Sequence, residues 1–219
     1  MHPVFRTVPL AAIILLLGAC ADAGSAAAAE KQPVPDDAAV AVFASGCFWC
    51  VESIYESVDG VYEAVSGYAG GNEPNPKYEQ VAYGRTTHAE AVQVFYDPDI
   101  VDFATLVDVF FNSQNPIQVD GQGPDRGRQY RSIIFYSNEE ERRIAGEKKA
   151  ALDASGTYDR PIAAEIEPLG RFWVAEDYHQ DYEIKNPNNP YVRGVSVPRL
   201  KRFQTKMPEV LKDPSESDH

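Results

Sequence analysis

Two cysteines three residues apart, Cys47 and Cys50, are the most reactive pair in the chain. Cys47 follows an alternating, β-rich run, AVAVFAS, and a turn at Gly46. It opens a segment in which Cys47, Val51, Ile54 and Val58 recur at helical spacing. A thiol placed where a strand hands over to a helix feels unpaired backbone N–H groups and the positive end of the helix dipole, both of which favour thiolate. Cysteines at such positions have pKa values of about 3.5–7.5 rather than about 8.5. Cys50 lies one helical turn further on the same side, so the two sulfurs can meet. A nucleophilic thiolate with a resolving partner is what a redox enzyme needs. A structural disulfide is the alternative, and a weak one, because so short a loop excludes few unfolded conformations. Phe48 and Trp49, between the cysteines, are ordinary core candidates. By itself this C-x-x-C serves a thioredoxin-like oxidoreductase equally well.

The elements that must position these thiols can be read from periodicity. A strand is expected at 39–45, a helix from Cys47 to Asp59-Gly60, and a second strand over VYEAVSGYA (61–69). A short helical turn near Tyr78 precedes a third, alternating strand, AEAVQVFYD. DFATLVDVFFNSQ then has helical periodicity, residues 116–130 read as loop, and RSIIFYS gives a fourth strand. The order β-α-β-β-α-β is that of a ferredoxin-like plait, hence an α+β fold with extra C-terminal helices and loops. Those extras are an exposed helix from Asn138 to Gly156, a short strand at IAAEIE, and helices over AEDYHQDYEI and PRLKRFQTKM.

The ends of the chain read differently. Residues 1–19 hold one charge, Arg6, and an apolar run from Val8 to Leu17 that is too short to span a membrane comfortably, as in a signal peptide. The run ends in Leu17-Gly18-Ala19-Cys20, which resembles a bacterial lipobox and implies acylation of Cys20; simple cleavage after Ala19-Cys20-Ala21 is the alternative. Either way the protein is expected to be exported to the cell envelope or periplasm, with a lipid anchor in the first case. Residues 20–38 are small, Pro-containing and aperiodic, as in a flexible tether, and 209–219 read as a disordered tail. Residues 39–208 are then a single catalytic domain. With Cys20 committed to lipid, only Cys47 and Cys50 remain, in a compartment that permits a disulfide. A net charge of −13 argues against nucleic acid as a partner. The four histidines lie far apart, which gives no support for a metal centre.

Five separated motifs resemble the A-type peptide methionine sulfoxide reductase family in its order and spacing. They are Gly46-Cys47-Phe48-Trp49 with Glu52, GYAGG (67–71), YEQVAYGRTTHAEAV (78–92), DRGRQYRS (125–132) and AEDYHQDYEIKNP (175–187). The resemblance covers nearly all of 39–187 and is far more specific than a lone C-x-x-C. It implies reduction of methionine S-sulfoxide in oxidised envelope proteins, and of the free amino acid, by a monomer without cofactor that is recycled by a thioredoxin-like reductant. Cys47 corresponds to the nucleophile and Glu90 to the acid that protonates the sulfoxide oxygen; taken alone, Glu90 would read as an exposed strand residue. Tyr78 and Tyr130 correspond to the phenols that bind that oxygen, Asp125 to an acid contacting substrate or an ordered water, and Phe48 and Trp49 to the wall that holds the S-methyl group. His88 and His179 fall in the motifs too, with structural hydrogen bonding as their expected part.

Two positions depart from the family pattern. Cys50 stands where most members have Gly and resolve with a cysteine near the C-terminus, and no cysteine follows it here. The resolving thiol is therefore Cys50 or an external reductant. Thr87 stands where Gly is usual, which puts the loop conformation before Glu90 in question. The rival readings are a general thiol-disulfide oxidoreductase and a non-catalytic lipoprotein that binds a partner.

Overall fold

The computed structural model describes residues 1, 2 and 33–213. Of the expected leader only its first two residues are described, and Cys20, most of the tether and residues 214–219 lie outside that range. Among the described residues no helix is long and apolar enough to cross a membrane.

The fold is α+β around a six-stranded, mostly antiparallel sheet. In chain order the first elements are β1 (Ala39–Ser45), α1 (Phe48–Glu56), β2 (Val61–Ala69), α2 (Tyr78–Ala82), β3 (Ala89–Tyr96) and α3 (Phe103–Asn112). A two-residue hairpin follows, β4 (Gly121–Gln122) and β5 (Asp125–Arg126), then a 3-10 turn (Arg128–Tyr130) and β6 (Ser132–Tyr136). The chain continues as α4 (Glu139–Ala154), β7 (Glu165–Pro168) and β8 (Trp173–Val174). It finishes with a 3-10 turn (Asp177–His179), α5 (Tyr182–Lys185), a π-helical turn (Val192–Ser196), α6 (Val197–Lys206) and a last 3-10 turn (Pro208–Val210). The strand order is β7-β6-β1-β3-β2-β8, and only the β6–β7 pair is parallel.

The period-2 strands form because alternate side chains meet the helices. From β1, Ala41 and Phe43 enter the main core cluster, whereas Val42 and Ala44 enter a smaller one on the other face. Phe43 is fully buried and stacks on Tyr55 of α1 at 5.0 Å between ring centroids and on Phe103 of α3 at 6.0 Å. Burying a side chain of that size stabilises the fold by roughly 1.5–3 kcal/mol, so this contact fixes α1 and α3 on one face of the sheet. α4 forms as its sequence dictates: Asn138 accepts from Glu141 N at 2.9 Å, acids fill the first turn, and Gly156 follows with φ +70°.

Three regions differ from the sequence reading. The segment 116–130 is not all loop, since it contains the β4–β5 hairpin. The helix expected over AEDYHQDYEI is broken by Asp181, which has φ +53°. The break has a tertiary cause: Asp181 N donates to the buried carboxylate of Glu52, and Gln180 exchanges bonds with the Ser66 backbone at 2.9 and 3.1 Å. The tail is held further than the expected boundary at 208, because Asp59 N donates to Val210 O at 2.9 Å and Lys212 N to Ser57 O at 3.0 Å.

Candidate active site

Cys47 is the N-cap of α1, as its place after a strand and a glycine requires. Gly46 has φ +92°, and a Cβ there would come within 2.5 Å of Gln122 Cβ, so the turn that presents the thiol needs glycine. The two thiols interact across one helical turn, and both residues are buried.

The charge on the pair is placed otherwise than the helix-terminus argument expects. Burial and the hydrogen bond to Cys50 push the Cys47 thiol well above the usual range. Cys50 is pulled down to about 6, first by the bond from Cys47, then against burial by the Arg199 guanidinium and by Ser196 and Tyr191. The physical reason lies in the backbone. The first free N–H of α1, that of Phe48, donates to Glu90 Oε2 at 3.1 Å, and Cys47 makes no side-chain cap. Cys50 Sγ instead lies 3.0 Å from Ser196 Oγ and 3.9 Å from Tyr191 Oη. Negative charge on the pair is therefore favoured on Cys50 rather than on Cys47.

Glu90 lies on β3 opposite Tyr68 of β2 and is 1% exposed, so it is no exposed strand residue. It accepts from the Phe48 N–H, and burial raises its carboxyl to about 8. It is therefore a protonated acid at neutral pH, and it lies close enough to Cys47 to contribute to raising that thiol. Tyr78 and Tyr130 feel both Glu90 and Cys47, which brings all four groups to one recess. Both phenols are held in the neutral form, mainly by burial.

The recess has an aromatic wall. Phe48 is almost wholly enclosed and packs on Tyr78 at 6.3 Å, Tyr68 at 5.9 Å and His179 at 4.9 Å. Trp49 is only half buried and stacks flat on Tyr182, 3.7 Å away and 6° from parallel. Its indole N–H donates to His179 Nδ1 at 3.0 Å, and burial lowers His179 to about 4, which keeps the imidazole neutral as an acceptor. His88 is likewise structural, with Nε2 2.8 Å from Glu73 O. Asp125 is half buried, and its Oδ2 accepts from Tyr191 Oη at 2.6 Å; it faces the thiols from the side of Cys50. Thr87 needs no glycine conformation. Its hydroxyl donates to Glu73 at 2.8 Å and accepts from Asn72 N at 3.1 Å, which ties the loop before Glu90.

Every candidate on this list is thus brought to one region, with Cys20 outside the described residues. Sequence reasoning missed a second ring of partners: Tyr182 under Trp49, and Tyr191, Ser196 and Arg199 around Cys50. Tyr182 lies inside a quoted motif, which was a usable signal. The other three come from a segment about 140–150 residues away, and only the fold brings them in.

Known proteins agree with this architecture. The family model for peptide methionine sulfoxide reductase matches residues 39–211. Peptide methionine sulfoxide reductase MsrA 1 of Rhodopirellula baltica is 45% identical over 173 residues, which cover 79% of this chain and 89% of that protein. MsrA of Methanothermobacter thermautotrophicus is 49% identical over 147 residues, covering 67% and 87%. Among solved structures, reduced Mxr1 of Saccharomyces cerevisiae superposes with a TM-score of 0.66 at 33% identity, covering 75% of this chain and 94% of that one. Methionine sulfoxide reductase A of Corynebacterium diphtheriae gives a TM-score of 0.62 at 36% identity, covering 71% and 77%. A cysteine pair capped by a protonated buried carboxyl, inside a match that runs nearly the length of the ordered domain, leads to one assignment: the chain belongs to the peptide methionine sulfoxide reductase family and is an oxidoreductase of its A type.

Proposed function

We propose that this enzyme reduces the S epimer of methionine sulfoxide, in oxidised proteins and as the free amino acid, through a sulfenic acid on Cys47 and a Cys47–Cys50 disulfide. The observation that carries the reading is Glu90: a carboxyl buried beside a thiol pair and kept protonated to about pH 8 is suited to neutralising a departing oxygen. A general thiol-disulfide exchanger has no use for such a group.

The geometry supports the following steps. The sulfoxide oxygen is received by Glu90 and the phenols of Tyr78 and Tyr130, and the methyl group rests against Trp49 and the edge of Phe48. The Cys47 proton passes along its hydrogen bond to Cys50 as the Cys47 sulfur attacks the sulfoxide sulfur. Glu90 gives its proton to the oxygen, the sulfur–oxygen bond of the substrate breaks as that oxygen bonds to the Cys47 sulfur, and the transient sulfur–sulfur bond breaks with its electron pair on the departing methionine, which leaves Cys47 as sulfenic acid. Cys50 then attacks that sulfur, water leaves, and a thioredoxin-like protein reduces the disulfide. Asp125, held by Tyr191, orients a substrate group or an ordered water at the edge of the recess. Strands β6-β1-β3-β2 with α1 and α3 would be the ferredoxin-like plait that carries this site.

Only one hand of the sulfoxide can direct its oxygen at Glu90 while its methyl meets the indole. Racemic methionine sulfoxide incubated with enzyme and dithiothreitol, then resolved by chiral chromatography, should lose the S epimer and retain the R. Equal loss of both would overturn the assignment.

The leader and the Leu17-Gly18-Ala19-Cys20 sequence support export with a lipid on Cys20, and oxidised envelope proteins would then be the substrates, met by a monomer. Cys20→Ser should move the protein from the membrane fraction to the soluble envelope fraction with its activity intact. Wild-type protein that takes up no radioactive palmitate would mean simple secretion instead.

A further inference from the structure

Cys50 also lines a second cavity, which shares Asp125 and Tyr191 with the site described above. This cavity has a volume of about 380 Å³, and its wall includes Arg199, Arg202 and Lys206 of α6, Asp125 and the amide of Gln118. Cys47, Trp49, Tyr78 and Glu90 take no part in it. Its charge is opposite to that of the chain: three cations and one carboxyl surround it, on a protein of net charge −13. The carboxyl, Asp125, is turned to the Tyr191 hydroxyl, 2.6 Å away. Arg199 is 8% exposed and fixed by bonds from Nε to Ser113 O at 2.8 Å and from Nη2 to Ser45 Oγ at 3.2 Å. This buried guanidinium, held on two neutral acceptors, lies next to the sulfur that must be released from the disulfide. A cavity of that volume is of the size that encloses a small organic molecule.

We propose that this cavity is a second binding site, for a small thiol that carries carboxylates, and that such a thiol reduces the Cys47–Cys50 disulfide by attack on Cys50, in addition to any protein reductant. The inference rests on the catalytic cycle given above and names a reductant for it. The carboxylates are received by Arg202 and Lys206 at the mouth and by Arg199 within. The incoming thiolate forms a bond to Cys50 Sγ, the Cys47–Cys50 bond breaks, and the electron pair leaves on Cys47. A second thiol then attacks the mixed disulfide, so that two thiols are oxidised to one external disulfide while both cysteines return to the reduced state.

The test uses full-length enzyme oxidised to the Cys47–Cys50 disulfide with diamide, so that it does not depend on sulfoxide turnover. Its reduction by glutathione, mercaptosuccinate, 2-mercaptoethanol and cysteamine is followed by stopped-flow tryptophan fluorescence and expressed per thiolate. Glutathione and mercaptosuccinate should react about tenfold or more faster than 2-mercaptoethanol, with cysteamine slowest, and the advantage should shrink as salt rises. The double variant Arg202→Gln/Lys206→Gln changes two exposed side chains of α6. It should slow the two anionic thiols about tenfold, leave 2-mercaptoethanol unchanged, and retain the single-turnover burst of methionine from reduced enzyme. Equal rates for anionic and neutral thiols in the wild type, or equal slowing of both in the double variant, would overturn the proposal. Slowing confined to a thioredoxin would also overturn it, since the cations would then serve a protein partner. Absence of the methionine burst in wild type would instead refute the catalytic reading and leave the thiol comparison standing by itself.

Discussion

Glu90→Gln is expected to slow formation of methionine by about 10²–10⁴-fold, the range typical of a lost general acid, while sulfoxide binding stays within a few-fold. The amide keeps the size of the side chain and can still donate a hydrogen bond to the sulfoxide oxygen, but it has no proton to transfer as that oxygen leaves. Single-turnover measurement on reduced enzyme separates the two effects, because it excludes disulfide recycling. The pH profile gives an independent check with a definite sign. Burial raises Glu90 to about 8, so the acid form is present below that pH and is lost as pH rises through it. The thiol pair needs one negative charge, which is present above about 6 and lost below it. Wild-type rates should therefore rise through about pH 6 and fall through about pH 8. In Glu90→Gln the fall on the alkaline side should vanish. A variant within a few-fold of wild type, or one that keeps the alkaline fall, would place the acid elsewhere.

The second large effect separates the two cysteines. Cys47→Ser should yield no methionine with any reductant, because the attacking sulfur is gone. Cys50→Ser should release close to one methionine per enzyme in a burst and then stall when a thioredoxin system is the reductant. Oxygen transfer ends on Cys47 alone, so the burst should survive, slowed by loss of the group that accepts the Cys47 proton; without Cys50 the sulfenic acid is not converted into a disulfide that thioredoxin can open. Serine keeps a hydroxyl near Ser196 and Tyr191 and is close in size, so the helix turn should survive. Dimedone should label Cys47 in the stalled variant, whereas wild type should show the intramolecular disulfide by mass spectrometry. Dithiothreitol, small enough to reach the sulfenic acid, should restore part of the turnover. Unimpaired cycling of Cys50→Ser with thioredoxin would reduce Cys50 to a helix residue.

The resting charge distribution gives these variants added meaning. The helix N-terminus that was expected to activate Cys47 spends its first N–H on Glu90, and the guanidinium of Arg199 draws the negative charge to Cys50. Cys50 thus has two consecutive uses in the proposed cycle: it accepts the Cys47 proton during attack, and it resolves the sulfenic acid afterwards. Both follow from one hydrogen bond between residues a helical turn apart.

Much of this protein was legible in its sequence, for reasons that are local. Strand alternation and helical spacing placed β1, α1, β2, β3, α3, β6 and α4 within a few residues of their observed bounds, because in each the apolar side chains must face the same core. Asn138 and Gly156 marked the ends of α4 for the same kind of reason, since a cap bonds only its own first turn. The spacing of Cys47 and Cys50 implied contact, because a helical turn enforces it. Other features depend on residues far apart in the chain. The buried state of Glu90 arises where β3 passes under the start of α1, and alternation alone cannot tell which face of a strand is covered. The break at Asp181 is set by Glu52, 129 residues earlier, whose carboxylate takes the amide that a continuous helix would have used internally. Arg199, Ser196 and Tyr191 reach Cys50 only because the C-terminal segment returns across α1, and that return moves the thiolate from one cysteine to the other. Local spacing determined which groups could react; long-range packing decided which of them carries the charge and which the proton, because desolvation and the field of distant ions act through space and leave no period in the sequence.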